Sequence, residues 1–224
     1  MLFSNEDLKK ALKERHSVRL YKDKDIEISK IEELTLLIDQ CNAEGNLHLQ
    51  FVKHAGNTLN KLFNKKAGLG TAPSVIACIG PDDATVDERI GYYGQKIVLY
   101  AQLLGLNTCW VGTFNKGDCD AVVNASEKFP ICIAIGYGET PGRDRKSKSV
   151  GDVITGEGEK PLWFYEGVEA ALLAPTAINQ QRFKISLDGD TVKIVDKGGI
   201  LSKIDLGIVK YNFEVGSGHK VYGE

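Results

Sequence analysis

The stretch from Gly91 to Thr113, GYYGQKIVLYAQLLGLNTCWVGT, constrains the fold more than any other part of the chain. Ile90, Tyr93, Ile97, Ala101 and Leu104 recur at spacings of three and four, the stripe of an α-helix. Val98, Leu99, Tyr100 and Leu103 add apolar surface on its other faces, so the pattern predicts a helix that runs through the core. Gly105 is placed to end it by taking the left-handed conformation after the last turn. The chain then emerges into a short segment containing Cys109, Trp110, Val111 and Gly112. A buried helix ending in such a turn can bring bare backbone N–H and C=O groups up to a flat ligand. Taken alone, the same pattern is equally that of a core helix followed by an ordinary loop.

The rest of the composition narrows the setting. A chain of 224 residues supports one substantial domain with its own core. Hydrophobic residues at 42% and charged residues at 26% are the profile of a soluble globular protein. A formal net charge of −2 gives no reason to expect nucleic acid or an acidic membrane as partner. No apolar run approaches a membrane span, and MLFSNEDLKKALKERHS is an amphipathic, charged start rather than a signal peptide, so cytoplasm is the expected compartment. Cys41, Cys78, Cys109, Cys119 and Cys132 form no CxxC pair, which predicts reduced thiols. The four histidines, His16, His48, His54 and His219, form no HExxH motif, and no zinc site is expected.

Along the chain, Asn5 to Glu14 reads as a helix capped by Ser4. It ends in RHSVRLY, where an extended backbone would point Ser17, Arg19 and Tyr21 one way and His16, Val18 and Leu20 the other. Three basic side chains and a hydroxyl within five residues can surround a phosphate; they can also be a solvated helix end. A second helix is predicted from Ser29, with Glu32 completing a capping box, to about Cys41. A short strand follows at Leu47 to Val52, a helical segment at Asn57 to Phe63, and a strand at Pro73 to Gly80. Phe129 to Gly136, FPICIAIG, is the clearest strand in the chain. The basic run PGRDRKSKSV beyond it reads as a surface tether, with one or two cations able to fold back onto a phosphate. Gly151 to Glu159 looks like an exposed linker. Phe164 to Leu173 reads as a helix that Pro175 terminates, and TAINQQ follows, where Asn179 and Gln180 each offer a donor and an acceptor to a flat heterocycle. Arg182 to Leu187 and Thr191 to Val195 alternate around Asp188-Gly189, a hairpin signal. A last helix starts near Ser202, and the tail from Gly216 is expected to fray or drape over a neighbour.

Two phrases echo each other: GNLHLQFV at Gly45 to Val52 and AINQQRFKI at Ala177 to Ile185. GYYGQKIVLYAQ and DLGIVKYNFEV form a second pair, each a helix opening near a glycine. Mixed helix and strand with such echoes predicts an α+β fold made of two related halves.

Four motifs carry a family resemblance. RHSVRLY is similar to the N-terminal signature of the nitroreductase-family flavoproteins, GYYGQKIVLYAQLLGLNTCWVG to their central helix and turn, IAIGYGETPGRDRK to their final core strand and basic segment, and ALLAPTAINQQRF to their Ala-Pro-Ser-x-x-Asn-x-Gln-Pro-Phe phrase. The chain most resembles the branch in which one polypeptide holds two nitroreductase-like halves. The resemblance implies a nitroreductase-like fold with a mixed or antiparallel central sheet flanked by helices, in a single domain spanning residues 1–224 with pseudo-repeat halves near 1–150 and 160–224. The intact Asn/Gln phrase stands near the C-terminus here, while the early CNAEGNLHLQFV lacks its Pro and Ser, and Gln181-Arg182 replaces the usual Gln-Pro.

The resemblance implies an FMN site. Arg15 and Arg19 would contact the phosphate or the pyrimidine edge, with Ser17 in support and His16 near the phosphate. Trp110, Val111 and Gly112 would lie against the ring, and Arg143, Arg145 or Lys146 would add charge at the phosphate. Asn179 and Gln181 fall on the Asn and Gln of the family phrase, Asn179 at the pyrimidine side. The implied activity is ping-pong oxidation of NADH or NADPH with reduction of a nitroaromatic, quinone or similar small acceptor, with no catalytic side chain and a homodimer as partner state. The competing expectations are a non-enzymatic flavin-binding or storage protein, and an interaction protein whose flavin site has decayed.

Overall fold

The computed structural model describes residues 3–54, 57–59 and 69–221. The chain folds into two compact units, each drawn from separated stretches. One takes Arg15–Val86 and Ile97–Asp144; the other takes Met1–Glu14, Asp87–Lys96 and Arg145–Glu224.

The first unit is built on a four-stranded antiparallel sheet of β1 (Gln50–Lys53), β2 (Ser74–Pro81), β3 (Asn107–Val111) and β4 (Glu127–Gly136), in the order β1-β2-β4-β3. It matches the expected antiparallel sheet. The apolar runs SVIACIG and FPICIAIG form its two central strands, paired Ile76 to Ile133 and Ala77 to Cys132, and are buried along most of their length, as continuous apolar strands must be. Val18, Tyr21, Val75, Ala77, Cys109, Val111, Phe129 and Ala134 form one apolar cluster on a face of this sheet. Helix α2 (Ile28–Gly45) buries Leu34, Ile38 and Cys41, and Asn46 ends it in the left-handed conformation. Most of the helical segment expected at Asn57 to Phe63 lies outside the described residues.

The second unit is mainly helical. Helix α1 (Asn5–Glu14) begins as expected, Ser4 Oγ accepting from the Asp7 N–H at 3.2 Å. The long central helix, α3 (Val86–Leu103), ends before Gly105, whose φ of 75° is the left-handed value anticipated there. Residues 87–96 of α3 belong to this unit and its last turns to the other. A four-residue helical turn, α4 (Val150–Val153), and the two-residue strand β5 (Ile154–Thr155) occupy what reads in the sequence as linker. Ser149 and Asp152 form a capping box there, which gives polar residues a regular role. Helices α5 (Leu162–Leu172) and α6 (Ser202–Ser217) follow, separated by the hairpin of β6 (Phe183–Asp188) and β7 (Thr191–Asp196). β5 pairs with β6 in parallel to give a three-stranded sheet. The expected fraying from Gly216 does not occur among the described residues: Gly216 and Ser217 are buried in α6, and the Val221 N–H donates to Glu214 at 2.8 Å.

Glycines set the helix packing in this unit. A Cβ on Gly91 would lie 2.0 Å from the Ile204 carbonyl oxygen, and one on Gly207 would lie 2.0 Å from that of Glu88. α3 and α6, the two echoed helices, therefore cross backbone to backbone. Gln95 Nε2 donates to Asn212 Oδ1 at 2.9 Å beside the crossing, and Asn212 Nδ2 donates to the Ala170 carbonyl at 3.2 Å, so both buried amides are satisfied.

Candidate functional site

In the sheet unit, RHSVRLY lies along the outer edge of β3. Ser17 bridges to Thr108 in parallel, the Val18 N–H donates to the Thr108 carbonyl at 3.0 Å, and Tyr21 bridges to Gly138 antiparallel. The chain thus passes from β3 to the segment beyond β4, and strict alternation fails. Val18 and Tyr21 are both buried, and the Tyr21 hydroxyl donates to the Val18 carbonyl at 2.8 Å, while Arg19 and Leu20 face outward. Arg15 is only 3% exposed.

These groups converge on Cys109. Burial pushes its thiol up, and Arg19, Arg15 and a hydrogen bond with Ser17 pull it back down. Two guanidiniums and a hydroxyl therefore share one neighbourhood at the edge of the sheet. Burial raises Tyr21 well above its ordinary range, with Cys109 adding to the rise and Arg19 opposing it. Both groups stay neutral at physiological pH and add no negative charge beside the two guanidiniums.

The segment after β4 closes over the same place. The Gly138 N–H donates to Asn107 Oδ1 at 2.9 Å, and a Cβ on Gly138 would sit 2.8 Å from Val18 Cγ1. Gly142, at φ 94°, passes His16 so closely that a Cβ would lie 2.5 Å from the His16 Cβ. His16 Nε2 stands 3.8 Å from Asp144, and Arg143 beside it in sequence is exposed. Trp110 and Val111 belong to β3 instead of a turn, because pairing of Trp110 to Ile133 and Val111 to Cys132 extends the strand that far; Gly112 alone leaves it, exposed.

In the helical unit, the TAINQQ phrase forms a compact, strained turn. Ile178, Asn179 and Gln181 all have positive φ, 46°, 56° and 45°. The amides of this turn grip the basic run. Asn179 Nδ2 donates to the Lys146 carbonyl at 2.7 Å and Gln181 Nε2 to the same oxygen at 3.0 Å. Gln181 Oε1 accepts from the Lys148 N–H at 2.9 Å. Asp205, which no sequence motif singles out, holds the turn from beneath by accepting from the Ala177 N–H at 2.9 Å and from Gln180 Nε2 at 2.7 Å. Burial raises its carboxyl to about 6 despite those hydrogen bonds. Arg145 donates from Nη2 to the Leu172 carbonyl at 3.1 Å, while its buried Nε has no hydrogen-bond partner among the described residues.

The predicted residues thus form two groups. Arg15, His16, Ser17, Arg19, Trp110, Val111, Gly112 and Arg143 belong to the sheet unit; Arg145, Lys146, Asn179 and Gln181 belong to the helical one. Cys109, Gly138 and Gly142 join the first group. The glycines of GYGETPG were the one available signal for them, since close backbone approach demands a missing Cβ.

A family model described as "Putative TM nitroreductase" matches residues 7–217. The chain belongs to this nitroreductase family. Solved structures agree on the fold. A "putative nitroreductase" from Thermotoga maritima superimposes with a TM-score of 0.66 at 22% identity, covering 96% of this chain and 85% of its own. Two nitroreductases, each also described as "putative" and each solved in complex with FMN, are similar over a shorter span. That from Desulfovibrio desulfuricans gives a TM-score of 0.51 at 16% identity over 69% of this chain and 98% of its own. That from Exiguobacterium sibiricum gives 0.51 at 14% over 65% and 94%. No curated protein matches the chain.

Proposed function

We propose that this nitroreductase-family chain is an FMN-dependent NAD(P)H oxidoreductase that reduces a nitroaromatic, quinone or similar acceptor in ping-pong order. The observation that carries the reading is the convergence of Arg15, Arg19 and Ser17 on the neutral thiol of Cys109, under a backbone segment brought close by Gly138 and Gly142. Two cations and a hydroxyl acting on that thiol fit a phosphorylated flavin. The FMN in two proteins of like fold supports the choice of flavin.

FMN, when bound, supplies the redox chemistry. The chain supplies binding and electrostatics. The guanidiniums of Arg15 and Arg19 hold anionic oxygens, with Ser17 donating its hydroxyl, the His16 ring close by and Arg143 adding charge. Their positive field favours added negative charge on a bound ring. The end of β3 offers backbone at Trp110, Val111 and Gly112 as a flat surface. Asn179, exposed, keeps one amide hydrogen and one lone pair beyond its internal contacts, enough for the edge of a heterocycle. Gln181 is more fully engaged, and its role is to fix the strap at Lys146, with Arg145 presenting its unbonded Nε. The echoed phrases, which fall on β1 and β6 and on α3 and α6, support an internal duplication within a chain that acts as one domain and pairs as a homodimer.

The deciding experiment is an anaerobic visible spectrum of protein loaded with FMN and freed of excess, before and after NADH or NADPH. Retained flavin that bleaches rapidly supports the reductase. Retained flavin that stays oxidised favours storage, and protein that keeps no flavin returns the scaffold to an interaction role.

A further inference from the structure

One end of the three-stranded sheet carries an open cleft of about 490 Å³, lined by Lys148, Asp152, Arg182, Phe183, Lys184 and Lys197. None of these residues is in the proposed flavin set. The fold assembles them from three places. The Lys197 N–H donates to the Arg182 carbonyl at 2.9 Å, carrying the β6–β7 pairing one step past Phe183 and Asp196, so Arg182 and Lys197 stand opposite one another. Arg182 and Lys184 are two residues apart in extended chain and share a face. Lys148 arrives on the strap that Gln181 holds.

Two of the cations are anchored at the cleft. Lys184 Nζ donates to the Asp152 carbonyl at 2.6 Å, and Lys148 Nζ to the Gln181 carbonyl at 2.6 Å. An ammonium has three protons, so each keeps two to give. The Asp152 carboxylate is occupied by its capping box, accepting from the Ser149 N–H and hydroxyl at 2.8 Å each. Lys148 and Lys184 help to hold the Asp152 carboxyl below its ordinary value, after the Ser149 hydrogen bonds, and Arg182 and Lys197 show no ion pair among the described residues. Elsewhere the lysines of the same hairpin and of α6 do pair, Lys193 with Asp188 and Lys203 with Asp196. Four cations around a single carboxylate, in a chain of net charge −2, is a local excess of positive charge whose repulsion a polyanion relieves.

We propose that this cleft binds a small molecule bearing a diphosphate, its oxygens taken by Arg182, Lys197 and the anchored ammoniums of Lys148 and Lys184. Arg182 is suited to two oxygens of one phosphoryl group, the lysines to single oxygens. The volume lies within the range of small-molecule pockets and leaves room for a body beside the anion. The site stands independently of the flavin reading.

The test is calorimetric titration of the full chain, with FMN present at saturation, using inorganic pyrophosphate and adenosine diphosphate at physiological ionic strength. Saturable binding is expected for at least one, weakened tenfold or more by Arg182→Gln and, separately, by Lys197→Gln, two exposed positions whose exchange leaves the sheet intact. Tighter binding of adenosine diphosphate assigns a nucleotide ligand; equal binding assigns the free diphosphate. Heat that sodium chloride at matched ionic strength reproduces overturns the proposal, as does binding unchanged in both variants. Should the variants release FMN instead, the cleft is the flavin's own and the inference fails while the flavin reading survives.

Discussion

Asp205 carries the clearest pH signature of any single residue. Its carboxyl lies 8% exposed beneath the TAINQQ turn, and burial lifts it from 3.8 to about 6. The folded chain therefore binds this proton more tightly than the unfolded one. A carboxylate raised in this way lends stability below its ordinary value, and that contribution is lost as pH rises through the window from 3.8 to about 6. The span corresponds to about 3 kcal/mol. Asp205→Asn keeps an acceptor oxygen for the Ala177 N–H but cannot ionise. Urea unfolding at about pH 4 and about pH 7 should show wild type losing ground to the variant as pH rises. Parallel pH profiles for the two proteins would mean that the turn does not confine the charge. This residue was invisible in the sequence, because SKIDLG looks like an ordinary helix start and only the tertiary fold buries the aspartate.

At the level of elements, the crossing of α3 and α6 yields a sharp stability prediction. Alanine is the better helix former by about 1 kcal/mol, so exposed glycine-to-alanine changes in helices tend to stabilise. At Gly91 and Gly207 the new methyl would meet a backbone carbonyl at 2.0 Å, which no rotamer can relieve. Gly91→Ala and Gly207→Ala should each lower stability by about 2 kcal/mol or more, through forced separation of the helices. Gly151→Ala in α4 is the control, since its nearest neighbour is Ser149 Oγ at 3.9 Å. Thermal melts that place all three variants together would refute the close crossing. Helices and the hairpin were legible from periodicity because their apolar stripes are long and uninterrupted. Their boundaries were less so. Ser29 and Glu32 suggested a capping box, yet α2 begins at Ile28 with Glu27 at the cap position. The Glu27 carboxylate does not cap the helix because the Tyr137 hydroxyl and Lys24 take it. β3 was hidden for a related reason: NTCWV has no alternation of its own, and becomes a strand through pairing with β4.

Over the whole molecule, the sequence order and the packing order diverge, and this decides what a cut chain would do. The motifs suggested halves meeting between residues 150 and 160, whereas the helical unit draws on Met1–Glu14, Asp87–Lys96 and Arg145–Glu224. The candidate site was legible as a set of cations and amides, since those residue types must appear in the chain. Their direction was not: Asn179 and Gln181 turn toward the Lys146 carbonyl because a strained turn orients them. The interleaving makes a prediction. Gly156 and Gly158, both exposed with positive φ, flank Glu157 at the natural place for a protease to nick. Helix α6 buries twelve residues, Phe213 and Val209 fully, and it crosses α3 at Gly91. A chain nicked at Glu157 should therefore keep its circular dichroism and elute as one species, the two pieces held by that crossing. Residues 1–155 expressed alone should expose the α3 surface around Gly91 and Gln95 that α6 covers, and aggregate or bind hydrophobic dye. Two fragments that separate after nicking, each folded and soluble, would show that the two pieces are independent bodies. The interleaved packing predicts the opposite, because the helical unit's core is assembled from both sides of the cut.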